Sequence, residues 1–136
     1  MEQLTAIFDI GKTNKKFLVF NQKYDVVYKV EKEFPQTVDD DGFECEDIDL
    51  LVQWIRETLQ SAIENRKLKI DKLNFSTYGA TLVYLDEKGN RVTPVYNYLK
   101  KVDDDIFAEF YSLYGGKESF CRETASPALG MLNAGL

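Results

Sequence analysis

The 136-residue sequence has no histidine, two cysteines, three prolines and a single tryptophan. Without histidine there is no Ser-His or Cys-His pair, so proton transfer must rest on carboxylates or on groups outside the chain. Cys45 and Cys121 lie far apart and lack metal-ligand spacing; they read as two reduced, structural thiols and not as a zinc cluster or a disulfide framework. No apolar run reaches the length of a membrane helix, and the first residues, MEQLTAIFD, lack the basic segment and apolar core of a secretory signal. A basic stripe is missing too. The 17 Lys and Arg are dispersed among 23 Asp and Glu for a net charge of −6, which argues against nucleic acid as a partner. The expectation is a cytoplasmic protein that engages neither nucleic acid nor membrane.

What is present is globular. Hydrophobic residues make up 44% and charged residues 29%, and a chain of this length makes one ordinary domain that buries roughly two thirds of its unfolded surface. The stretch that organises it is Leu4 to Phe20, LTAIFDIGKTNKKFLVF, in which two runs rich in β-formers flank Gly11-Lys12-Thr13-Asn14. This is a β-hairpin pattern. Asp9 ends the first strand, Gly11 lets backbone N–H groups near Lys12 and Thr13 approach a ligand, Thr13 adds a hydroxyl and Lys16 a positive charge. A carboxylate beside such a turn suits a hydrated magnesium ion. The same residue types are also what any hairpin turn prefers, so the motif alone reads two ways.

After a turn at Asn21-Gln22-Lys23, a third strand carries Val26, Tyr28, Val30 and Phe34 on its drier face and ends at Pro35. Thr37 to Glu46, with Asp39-Asp40-Asp41, lacks the spacing of a calcium loop and reads as a solvated polar loop. Asp47 or Asp49 caps a helix whose Leu51, Trp54, Ile55, Leu59, Ala62 and Ile63 keep helical spacing to about Arg66. A strand near Leu73 to Thr77 follows, and the strand–helix–strand order implies parallel pairing. Tyr78-Gly79 breaks that strand. Thr81 to Leu85 and Arg91 to Tyr98 are expected to pair as a hairpin around Asp86 to Asn90. Asp103 to Asp105 start a helix with Ile106, Phe107, Phe110, Tyr111 and Tyr114 on one side, which stops at Gly115-Gly116. Ser126-Pro127 opens a last helix with Ala128, Leu129, Met131 and Leu132 on its apolar face.

Three segments, in order, resemble the FGGY sugar kinases of the actin, hexokinase and chaperone ATPase superfamily. IFDIGKTNKKFLVF resembles their first phosphate motif. DGFECEDIDLLVQWI is similar to the lead-in to their first helix, and STYGATLVYLDEKGNRVTPVYNY to the strand, sugar-facing turn and hairpin of xylulose and rhamnulose kinases. The resemblance implies an α/β, ribonuclease H-like mixed sheet in β-β-β-α-β order with an added hairpin and helix. It also implies that residues 1–136 are the N-terminal portion of a kinase N-terminal domain, truncated before the general base and the second domain, both expected beyond Leu136. The last helix, opened and left uncapped, fits that expectation.

By the same resemblance, ATP and Mg2+ are the cofactors, with Asp9, Gly11, Lys12, Thr13, Asn14 and Lys16 on their side and Asp9 toward the metal. Lys12 departs from the small hydroxyl residue usual there. Thr77, Tyr78 and Gly79 fall in the place of a sugar-contacting turn. Tyr98 falls near an aromatic residue that precedes a sugar-binding aspartate, for which this sequence offers Leu99, Lys100 and Lys101; if Lys100 takes that position, the exchange implies an unusual or acidic acceptor. For Tyr78 and Tyr98, hairpin packing stands as the alternative role. The implied activity is phosphorylation of a ketose or polyol hydroxyl by the full-length enzyme, with the isolated chain inactive and a homo-oligomer expected. Two alternatives remain open: a non-catalytic nucleotide-binding member of the same superfamily, and a binding module complete at 136 residues.

Overall fold

Alternation builds the sheet. In β1 (Leu4–Ile10), Ala6, Phe8 and Ile10 are buried, and in β2 (Asn14–Phe20) Lys15, Phe17 and Val19 are buried on the same side, so each strand turns every second residue inward. The remaining elements are β3 (Val26–Glu33), β4 (Thr37–Val38), β5 (Glu44–Cys45), α1 (Ile48–Glu64), β6 (Ile70–Thr77), α2 (Asp104–Leu113) and α3 (Lys117–Thr124). They come from a computed structural model that describes residues 3–128. The described residues fall into two compact units, one of residues up to 36 with 47–78, the other of 37–46 with residues from 79 onward.

The first unit has the expected β-β-β-α-β order. Its sheet runs β3-β2-β1-β6, with β2 antiparallel to both neighbours and β6 parallel to β1. β6 starts at Ile70, ahead of the expected Leu73. A bulge between Val19 and Phe20 adds a residue to β3, so Val26 faces outward at 51% exposed while Tyr28, Val30 and Phe34 pack on the core. That corrects the drier face expected for Val26.

Helix α1 covers the inner face. The Asp47 carboxylate accepts from the Leu50 amide at 2.9 Å, capping the first turn. Trp54, Thr58 and Ala62 are buried along one stripe with Leu51, Ile55 and Leu59 beside them. Ile63 falls off that stripe and is exposed. Phe8 is the hub: its ring meets Phe17 at 4.6 Å, Trp54 edge-on at 5.5 Å and Phe75 stacked at 5.4 Å.

In the second unit, β4 and β5 form a small antiparallel ribbon, and Asp39 at its turn is 6% exposed. The solvated loop expected here is therefore corrected at Asp39, whose Oδ1 accepts from the amides of Asp41 and Phe43. The hairpin expected between Thr81–Leu85 and Arg91–Tyr98 shrinks to a bridge between Leu85 and Arg91. Asp86 closes that turn by accepting from the amides of Lys88 and Asn90. Pro94 has no amide to donate, and Val95 pairs instead with Glu46.

Asp103 to Asp105 do start α2, and the Gly116 amide closes its end on the Tyr111 carbonyl at 2.8 Å. Of the side expected to be apolar, Phe107 is buried while Ile106 and Tyr114 are exposed. Helix α3 had no forecast: its Phe120 ring sits 5.0 Å from Phe110 and 5.7 Å from Tyr111, so aromatic packing holds an otherwise polar octamer. Cys45 is buried and Cys121 half-buried. The helix forecast from Ser126-Pro127 lies outside the described residues. Among the described residues no helix is long and apolar enough to cross a membrane.

Candidate functional site

The parallel strands β1 and β6 end side by side. Asp9 is level with Ser76 and Ile10 with Thr77, and the Tyr78 amide donates to the Ile10 carbonyl at 3.1 Å. Carboxyl ends of strands in open α/β sheets are where ligands bind, because the chain leaves the sheet there and exposes backbone donors. The β1–β2 turn emerges at this end.

Gly11 sets the turn. Its amide donates to the Asn14 carbonyl at 3.0 Å, and a Cβ on Gly11 would stand 2.7 Å from that oxygen. Glycine is required here by close backbone approach, not by a positive φ. Lys12 is half-buried and Thr13 is exposed at the tip. Asn14 Oδ1 is a buried oxygen with no hydrogen-bond partner among the described residues, and such an atom is costly unless something donates to it.

Because Phe8 and Ile10 face the core, Asp9 projects from the opposite face of the sheet. Lys16, its cross-strand partner, projects there too. Of the residues forecast for phosphate and metal, the fold thus gathers Asp9, Gly11, Lys12, Thr13, Asn14 and Lys16 at one strand end, with Thr77 and Tyr78 at the adjoining one. Lys15 was missed. It is 2% exposed, and its Nζ donates to the Lys12 carbonyl at 2.8 Å. The signal lay in its phase, since Lys15 alternates with Phe17 and Val19. Ser76, level with Asp9 on β6, was also passed over.

Gly79, Tyr98 and Lys100 belong to the second unit. A side chain on Gly79 would meet nothing within 4 Å, so no steric demand selects glycine there. Tyr98 is half-buried. Lys100 is engaged: Nζ lies 2.6 Å from both Asp39 Oδ2 and Asp41 Oδ2 and 4.7 Å from the centre of the Tyr96 ring, whose hydroxyl donates to Asp40 at 3.2 Å. The hydrogen bonds to Asp39 and then Asp41 push the Lys100 ammonium above its usual range. The Lys100 hydrogen bond, helped by the Phe43 and Asp41 amides, pulls the Asp39 carboxyl below its own. Asp39, Asp40 and Asp41 lie close enough to share a cation, but Lys100 already neutralises two of them.

Residues 4–108 match the model of the N-terminal domain of the FGGY family of carbohydrate kinases. The chain belongs to that family. No curated protein sequence matches it. Among solved structures, the FGGY chain is similar to gluconate kinase from Lactobacillus acidophilus, at 18% identity and a TM-score of 0.69 over 90% of this chain and 25% of that one. Xylulose kinase from the same organism gives 18%, 0.71, 88% and 24%. Glycerol kinase from Plasmodium falciparum, solved with ADP, gives 13%, 0.75, 98% and 28%. These likenesses show the fold, the actin/hexokinase-like mixed sheet implied by the sequence. The chain spans about a quarter of the length of the solved kinases it matches.

Proposed function

We propose that this chain supplies the phosphate and magnesium side, and part of the acceptor side, of an ATP-dependent kinase that phosphorylates a ketose or polyol hydroxyl. The carrying observation is the placement of Asp9 and Lys16 directly opposite each other, off the core face, beside a turn whose backbone spacing admits only glycine at position 11. Phosphoryl transfer asks for little covalent chemistry from the protein. It needs phosphates cradled by backbone donors and charge neutralised in place.

In this reading Thr13 and the amides beside Gly11 receive phosphate oxygens, and Lys16 offsets their charge. Asp9 would hold magnesium. Asn14, whose buried Oδ1 is without a donor, would accept a hydrogen bond when the site is filled. When bound, magnesium neutralises charge developing on the transferred group. Thr77 and Tyr78 in the first unit are assigned to the acceptor, and so, each within the second unit, are Gly79, Tyr98 and Lys100. Lys100 reaches an acceptor with its charge already balanced by Asp39 and Asp41, which favours a neutral polyhydroxyl compound over an acidic one. We assign residues 1–136 to the N-terminal portion of the kinase N-terminal domain, and the general base and second domain to the remainder of the enzyme.

An ATP-coupled assay of the natural polypeptide carrying these residues, across pentuloses, hexuloses, glycerol and sugar acids, tests the reading. Sugar-dependent ADP release supports it. Nucleotide binding with no acceptor-dependent turnover would establish the non-catalytic alternative.

A further inference from the structure

We infer that Lys15 is a positioning residue that turns the Lys12–Thr13 peptide so that the Thr13 amide faces the nucleotide phosphates; this rests on the phosphate-turn reading above. Lys15 stands on the core side of β2, in phase with Phe17 and Val19, and is 2% exposed. Its ammonium curls back to the Lys12 carbonyl at 2.8 Å and lies 5.6 Å from the centre of the Phe34 ring. Burying an ammonium is unfavourable, and an apolar side chain of similar volume is often neutral or better for stability at such a place. Packing alone therefore does not select lysine.

What the ammonium does is fix a direction. The described peptides are all trans, and across a trans peptide the carbonyl and the next amide point opposite ways. Drawing the Lys12 carbonyl toward the core side sends the Thr13 N–H toward the other side. Asp9 and Lys16 project there. Lys15 thereby aims a backbone donor at the metal and phosphate side of the turn without touching either.

Two measurements on the natural polypeptide test this, with MgADP as probe. Lys15→Met is expected to melt at or above the wild-type temperature yet bind MgADP about tenfold more weakly, since a charge-assisted hydrogen bond that orders the donor is gone. A purely structural lysine would not separate those readouts, and an affinity within twofold of wild type overturns the inference. The second measurement needs no variant. In 1H–15N spectra of the wild type, MgADP is expected to move the Thr13 amide proton downfield, and an unmoved Thr13 overturns the role even if Lys15→Met fails to fold. A wild type that binds no MgADP sinks the phosphate-turn reading itself, an outcome distinct from binding that leaves Thr13 and Lys15→Met unaffected.

Discussion

Asp9 and Lys16 are cross-strand partners in the β1–β2 pair and project from the sheet face opposite Phe8 and Trp54. Opposite charges at such a pair support the hairpin only modestly, by about 0.2–1 kcal/mol. Their consequence is chemical: a carboxylate-bearing and an ammonium-bearing residue project from the same sheet face at the mouth of a backbone turn.

Asp9→Asn is expected to lower kcat of the natural polypeptide by about 10²-fold or more, the scale of losing one preorganised electrostatic group. The fold should be unaffected, because Asp9 takes no part in the core built from Phe8, Phe17 and Trp54. Steady-state kinetics with circular dichroism of the same preparation checks both halves. Near-wild-type turnover would remove the magnesium assignment.

Gly11→Ala should damage the turn in a different way. The new methyl would lie 2.7 Å from the Asn14 carbonyl, so either the Gly11–Asn14 hydrogen bond lengthens or β1 and β2 part at their ends. The cost is expected at about 1–3 kcal/mol of stability, as for other forced close contacts, with KM for ATP raised more than kcat is lowered. Chemical denaturation and a nucleotide titration measure the two effects.

The sheet was legible because its cause is local. Alternation in β1 and β2, the Gly11 turn and the spacing of Leu51, Trp54, Ile55 and Leu59 are each readable within a dozen residues. So were six of the residues now gathered at the turn. What escaped depended on partners distant in sequence. Asp39 is buried because Lys100 reaches it from across 61 positions, and the 81–98 hairpin is broken because Val95 pairs with Glu46. Helix α3 has a polar composition, and the edge-on contacts of Phe120 with Phe110 and Tyr111 hold it. Lys15 was hidden by its type, since lysine is read as solvated unless its strand phase is followed.

The Asp39–Lys100 pair makes a prediction about acid. The folded-state pKa of Asp39 is lowered from 3.8, first by Lys100 and then by the Phe43 and Asp41 amides. Its contribution to stability is therefore present above pH 3.8 and is lost as pH falls through the lower folded value. Lys100 is raised from 10.5, so its contribution is present below that pH and is lost only as pH rises through its folded value. Between these limits the pair contributes at a constant level. Lys100→Met should melt below wild type at pH 7, and the gap should narrow as pH falls below about 4, because protonated Asp39 no longer uses the ammonium in either protein. Thermal melting of both proteins from pH 7 to pH 2.5 reads the gap directly. A gap that stays constant to pH 2.5 would mean that Lys100 acts through packing on the Tyr96 ring, and that the ion pair does not order this loop.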